Sequence, residues 1–185
     1  MRKLLCALGM MSALVIALAV HAAAPANFGG TWTLDKSKSQ GLNPRLQNAE
    51  SVSWVITQTD KEITIEEKVT GGNPPAGAPA GGPGGGGGGG RGMGGFGGPR
   101  TFNLDGSETS ADMGGRGKVA RKATVSGDGK TLELSSKSTF EGQNGEVTAT
   151  TTEKLQLSAD GKTLTVTRHS ESPRGPQDST LVFNK

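Results

Sequence analysis

Beyond residue 50, apolar residues recur at every second position in short runs separated by turn-forming dipeptides. That is the period of a β-strand with one buried face. In SVSWVITQ, Val52, Trp54 and Ile56 share a face, and in KEITIEEKV so do Ile63, Ile65 and Val69. QTDK, between the two, reads as a hairpin turn. TLELSSKS aligns Leu132 with Leu134, EVTATTTEKLQL aligns Val147, Ala149, Leu155 and Leu157, and TLTVTRHS aligns Leu164 with Val166. Leu181 and Phe183 do the same in STLVFNK. The pattern predicts eight to ten antiparallel strands, near residues 30–35, 51–58, 61–70, 100–104, 107–112, 118–125, 130–138, 146–157, 162–170 and 179–184. No stretch after the first 24 residues holds a helical period, although PRLQNAES has room for one turn.

The turns are equally legible. LDGS, SGDGK, QNGE and SADGK each place Asp or Asn before a glycine, the pairing that tight hairpins favour because both residues tolerate unusual backbone angles. SGDGKTLELSSKS and SADGKTLTVTRHS echo one another, which we read as recurring hairpin grammar and not as a duplicated unit. Consecutive hairpins make an up-and-down meander. With one apolar face per strand and no helix to cover it, the sheet must curl on itself, so the expected fold is an all-β barrel.

The ends and the middle of the chain refine this picture. MRKLLCALGMMSALVIALAVHAAAPA has Arg2 and Lys3, an apolar run and small residues, the layout of a secretory signal cleaved near Ala22 or Ala24. We expect residues 1–24 to be a signal peptide, residues 25–185 one barrel domain, and the protein periplasmic or secreted without a membrane anchor. The single cysteine, Cys6, falls in the discarded segment, so disulfides and thiolate metal sites are excluded from the mature chain. Without Arg2 and Lys3 the formal charge drops to +1, too balanced to steer the protein toward nucleic acid.

Residues 71–99 carry 17 of the 31 glycines, yet only Arg91, with Arg100 just beyond, supplies charge, and Phe96 is the sole aromatic. RNA-binding Arg-Gly segments act by repetition of charge and stacking, and two arginines do not accumulate affinity. A disordered loop is expected, inserted in a hairpin at small cost in closure entropy.

Gly30-Thr31-Trp32 in the opening strand NFGGTWTLDKSKS resembles the Gly-x-Trp signature of calycins. Together with hairpins ending in DGKTLTVTR, the chain from about residue 28 to 184 is similar to bacterial exported lipocalin-like domain proteins. The resemblance implies a lipocalin-like barrel in which Trp32 and Gly30 close one end, with an arginine of a late strand, here Arg168, packed against the tryptophan. The tyrosine and clustered tryptophans of an avidin biotin site are missing.

Strand parity points several charges inward. Arg168 follows Leu164 and Val166 by twos, Glu153 lies between Thr151 and Leu155, Arg121 between Val119 and Ala123, and Glu67 between Ile65 and Val69. Interior charges must be paired or solvated. In one reading Arg121 or Arg168 anchors the anionic head of a small amphipathic ligand while Leu, Ile and Val surround its tail. In the other these residues pair with one another, sit at strand ends or lie on bulged strands, and the barrel is a filled scaffold whose glycine-rich loop contacts a protein partner. Neither reading involves catalysis, a cofactor or a metal. His169, Ser170 and Glu171 are adjacent but alternate in face, so they cannot assemble nucleophile and base, and each acidic turn offers one carboxylate, too few for calcium. A monomeric, non-enzymatic protein is expected.

Overall fold

A computed structural model describes residues 25–71, 98–113, 117–142 and 145–185. The predicted signal peptide, most of the glycine-rich run and the Asn144 turn lie outside the described residues. The element order is β1 (Gly30–Leu34), α1 (Pro44–Asn48), β2 (Ser51–Gln58), β3 (Glu62–Thr70), β4 (Arg100–Asn103), β5 (Thr109–Asp112), β6 (Gly117–Val125), β7 (Thr131–Gly142), β8 (Gly145–Leu157), β9 (Thr163–Glu171) and β10 (Gln177–Asn184). All ten strands form one antiparallel sheet in the order β4-β3-β2-β1-β10-β9-β8-β7-β6-β5. The meander curls into a nearly closed barrel. Its two edge strands, β4 and β5, share no ladder; instead Thr109 Oγ1 donates to the Thr101 carbonyl at 3.2 Å across the seam.

The alternation seen in the sequence becomes burial. Trp32, Trp54, Ile63, Ile65, Phe102, Leu132, Leu134, Leu155, Leu164, Val166, Leu181 and Phe183 are 0–1 % exposed and belong to one core. Side chains lining a ligand-sized cavity would carry accessible surface toward it, so this apolar half of the barrel is packed solid. Fully burying each such aliphatic side chain contributes about 1.5–3 kcal/mol.

One barrel end is sealed by the chain's own N-terminal segment. Ala26 N–H donates to the Gly129 carbonyl at 2.7 Å, and Gln58 receives Phe28 N–H at 2.9 Å while donating to the Ala26 carbonyl at 3.0 Å. These bonds stretch residues 26–28 across the mouth and drive Phe28 into the core. The hairpin turns around Asp105, Asp128 and Asp160 gather at this end. Ser126–Asp128 and Ser158–Asp160 are closed identically: the serine hydroxyl donates to the aspartate at 2.6 Å and accepts the following threonine N–H at 2.9 Å. The sequence echo is thus one turn used twice. Gly161 there has φ 67° with no atom near an added Cβ, so Gly161→Ala should cost about 1–2 kcal/mol from backbone conformation alone, read as a fall in the urea midpoint.

The opposite end is polar. Here the chain detours between β1 and β2: Asp35–Ser39 bulges out before Gln40 rejoins β10 through paired bonds to Thr180. The single helical turn follows, with Asn43 accepting Leu46 N–H at 3.0 Å and Pro44 at its start. Leu46 and Ala49 anchor it to the core.

Candidate functional site

The interior changes character along the strands. Below Leu134, Leu155 and Val166 it is apolar. One step toward the polar end, the same inward parity brings Arg121, Glu153 and Arg168, and the register sets Arg121 opposite Ser136 and Glu153 opposite Arg168. Glu153 is 1 % exposed, the one buried charged residue among the described residues. Arg100 Nη1 meets its Oε2 at 2.6 Å, and Arg168 meets its Oε1 through Nε at 2.8 Å and Nη2 at 2.7 Å. Burial alone would push the Glu153 carboxyl up; the two guanidinium charges outweigh it and hold the pKa at about 2. Both guanidinium groups also lie over Trp54, with their carbons 5.4 Å and 5.8 Å from the ring centroid. Trp54 stacks in turn on Phe183 at 4.8 Å.

Arg121 has no such partner. Its Nε is buried and without a hydrogen-bond acceptor among the described residues, and both oxygens of Glu153 are already taken. Desolvation first, then the like charge of Arg100, lowers the Arg121 pKa. A guanidinium nevertheless stays protonated. Toward the polar end, the inward positions Ser136, Ser138, Thr151, Ser170, Phe140 and Val147 are only half-buried. These residues form a wall of hydroxyls on the inward face between the guanidinium layer and the polar rim, where Phe140 and Val147 sit beside the buried Val119.

Glu67 lies beside Trp54, accepting its Nε1–H at 3.1 Å, with Arg45 of α1 at 3.8 Å. Trp32 is fully buried at the sealed end and donates Nε1–H to the Phe28 carbonyl at 2.8 Å. The cation over it, however, is Lys185 at 4.6 Å, not Arg168. Arg168 is opposite Ser179, six residues along β10 from Lys185 and so about 20 Å away along the strand. Gly30 makes room for this cover, since a Cβ there would stand 2.8 Å from Lys185 Cε. The Leu, Ile and Val side chains expected to surround a ligand's tail are packed on each other instead.

Arg100, essential to the cluster, was not among the sequence candidates. It begins a four-residue strand after a glycine run, where no period can be read, yet its spacing of two from buried Phe102 was a usable signal. His169 faces outward, with Nδ1 2.6 Å from Asp178 Oδ1 and Nε2 3.5 Å from Glu171 Oε1, and the Asp178 and Glu171 contacts raise its pKa. Ser170 turns inward to Thr151, 3.2 Å away, so the adjacent His and Ser do not act together. A shallow hollow of about 220 Å3 lined by Gln40, Gly41, Thr167, Asp178, Ser179 and Thr180 lies by β9 and β10, formed by neither Arg121 nor Glu153. Among the described residues no group of three or more His, Cys, Asp or Glu is placed to hold a metal ion.

No family model and no curated protein matches the sequence. Among solved structures, the chain is similar to zebrafish ileal bile acid-binding protein complexed with cholic acid, with a TM-score of 0.45 and 13% identity over 85% of this chain and 98% of that one.

Proposed function

We propose that this protein is an exported, non-enzymatic, lipocalin-like binding protein that takes a small amphipathic anion at the polar end of its barrel. The anionic head meets Arg121 among the hydroxyls of Ser136 and Thr151, and the apolar part rests on Val119, Phe140 and Val147 near the rim. The observation that carries this reading is the buried Nε of Arg121, which has no partner among the described residues, because a buried donor without an acceptor is costly and a ligand oxygen would supply one. The apolar half of the barrel is too tightly filled for a deeply inserted tail, which sets the ligand high in the barrel.

Arg121→Gln should leave the free protein as stable as before or more so, by up to about 1 kcal/mol, while abolishing binding. Native mass spectrometry of protein purified from its own cells is the check: a small anionic adduct on the wild type and none on the variant is expected. An unliganded wild type, with no calorimetric response to octanoate, octyl sulfate or octyl phosphate, would exclude the carrier role. The solid apolar half favours one other reading, an envelope or extracellular scaffold that meets a protein partner through the glycine-rich segment. Deleting residues 72–97 separates the two. Anion binding survives the deletion under the first reading, and partner capture is lost under the second.

A further inference from the structure

The charge balance around Arg121 narrows the ligand further, provided the polar end is a binding site as proposed above. Among the described residues, Arg100 and Arg168 share a single buried carboxylate, Glu153, and Arg121, on the same inward face, stands near enough to Arg100 to feel its charge. Glu67, the other inward acid, is committed to Trp54 Nε1 and to Arg45. His169, Glu171 and Asp178 face outward and contribute only to each other. The layer thus holds two positive charges in excess, one on Arg121 and one shared by the Arg100–Glu153–Arg168 cluster.

We infer that the polar end of the barrel selects a doubly charged head group, a phosphomonoester dianion, over singly charged anions of the same size. Arginine cannot shed its proton to relieve the excess, and its forked donors match tetrahedral phosphate oxygens in pairs. In a half-buried site the second ligand charge is attracted far more strongly than it would be in water. The hydroxyls of Ser136 and Thr151, facing one another across β7 and β8, are positioned on the same inward face to donate to the remaining oxygens. A singly charged head would leave one of the two excess charges unanswered.

Octyl phosphate and octyl sulfate share chain and tetrahedral shape but differ in charge above the second phosphate ionisation, near pH 6–7. Calorimetric titration of the mature protein with each at pH 8 should show octyl phosphate binding at least about tenfold more tightly, a difference of about 1.4 kcal/mol. The advantage should shrink as pH falls to 5.5 and the phosphate becomes a monoanion. Arg121→Lys, which keeps the charge, should retain the preference, whereas Arg121→Gln should bind neither amphiphile. Equal affinity for the two amphiphiles at pH 8 would overturn the selectivity but leave the binding site standing; binding of neither would overturn both. Inorganic phosphate distinguishes the source of the dianion. Binding of octyl phosphate much more tightly than inorganic phosphate indicates a lipid-like or other amphipathic phosphomonoester, and equal binding indicates the free ion.

Discussion

Replacing Glu153 by alanine should remove about 3–5 kcal/mol of stability, the loss typical of breaking a buried ion pair from one side. The variant leaves Arg100 and Arg168, only 15% and 18% exposed, facing each other without a shared anion. It also severs β4 from β8 and β9. That link matters because β4 is an edge strand whose far side has no ladder to β5, so the Glu153 bridge across the lumen helps to hold the seam shut. Urea denaturation at pH 7 measures the loss, and a change below about 1 kcal/mol would show the cluster to be as dispensable as an exposed pair. Glu153→Gln, which keeps the shape but not the charge, should fall between alanine and wild type.

The same carboxylate sets an acid limit. Its folded-state pKa, about 2, is depressed below the usual 4.5, so its stabilisation is complete above about pH 4.5 and is lost as pH falls through 2. Wild type should therefore lose stability steadily over that interval. Glu153→Gln should be flatter there, with the two curves converging at the acid end. Curves that stay parallel from pH 5 to 2 would mean that Glu153 is not the group responsible.

Trp54→Ala should cost at least about 3–5 kcal/mol, the range for large aromatic side chains in a packed core. Trp54 is the joint between the two halves of the interior. One face stacks on Phe183, both arginines of the charged cluster lie over the ring, and its indole N–H is held by Glu67. Cation–π contacts of this kind add about 0.5–2 kcal/mol each, so the loss should exceed that from trimming an aliphatic neighbour such as Leu134. The Trp54 and Glu153 substitutions should also fail to add, because each disturbs the same two guanidinium groups. A double-mutant cycle in urea is expected to give a coupling of about 1–3 kcal/mol. Strict additivity would separate the stack from the ion cluster and remove the account of the layer as one unit.

Much of this architecture is local information. Alternation placed most strands within a few residues, the Asp-Gly turns at Asp105, Asp128 and Asp160 separated three of the hairpins, and parity put Arg121, Glu153 and Arg168 on the inward face where the structure has them. The short turn in PRLQNAES is α1. Strand period and turn chemistry depend on neighbours in sequence, and so they can be read without knowing what packs across the barrel.

What the chain could not declare is who meets whom across the lumen. Sequence alone determined an all-β meander with charges turned inward. Only the tertiary structure decided that Glu153 serves Arg100 and Arg168 together, that Lys185 and not Arg168 covers Trp32, and that Arg121 is left over. Those outcomes depend on sheet order and on the height of each residue along the barrel, which bring Arg100 and Glu153, 53 positions apart, within hydrogen-bonding distance. The filled apolar half was equally invisible, since alternation tells which side chains point inward but not whether opposite walls touch. Packing at that scale is set by barrel closure and side-chain volume, both properties of the assembled sheet.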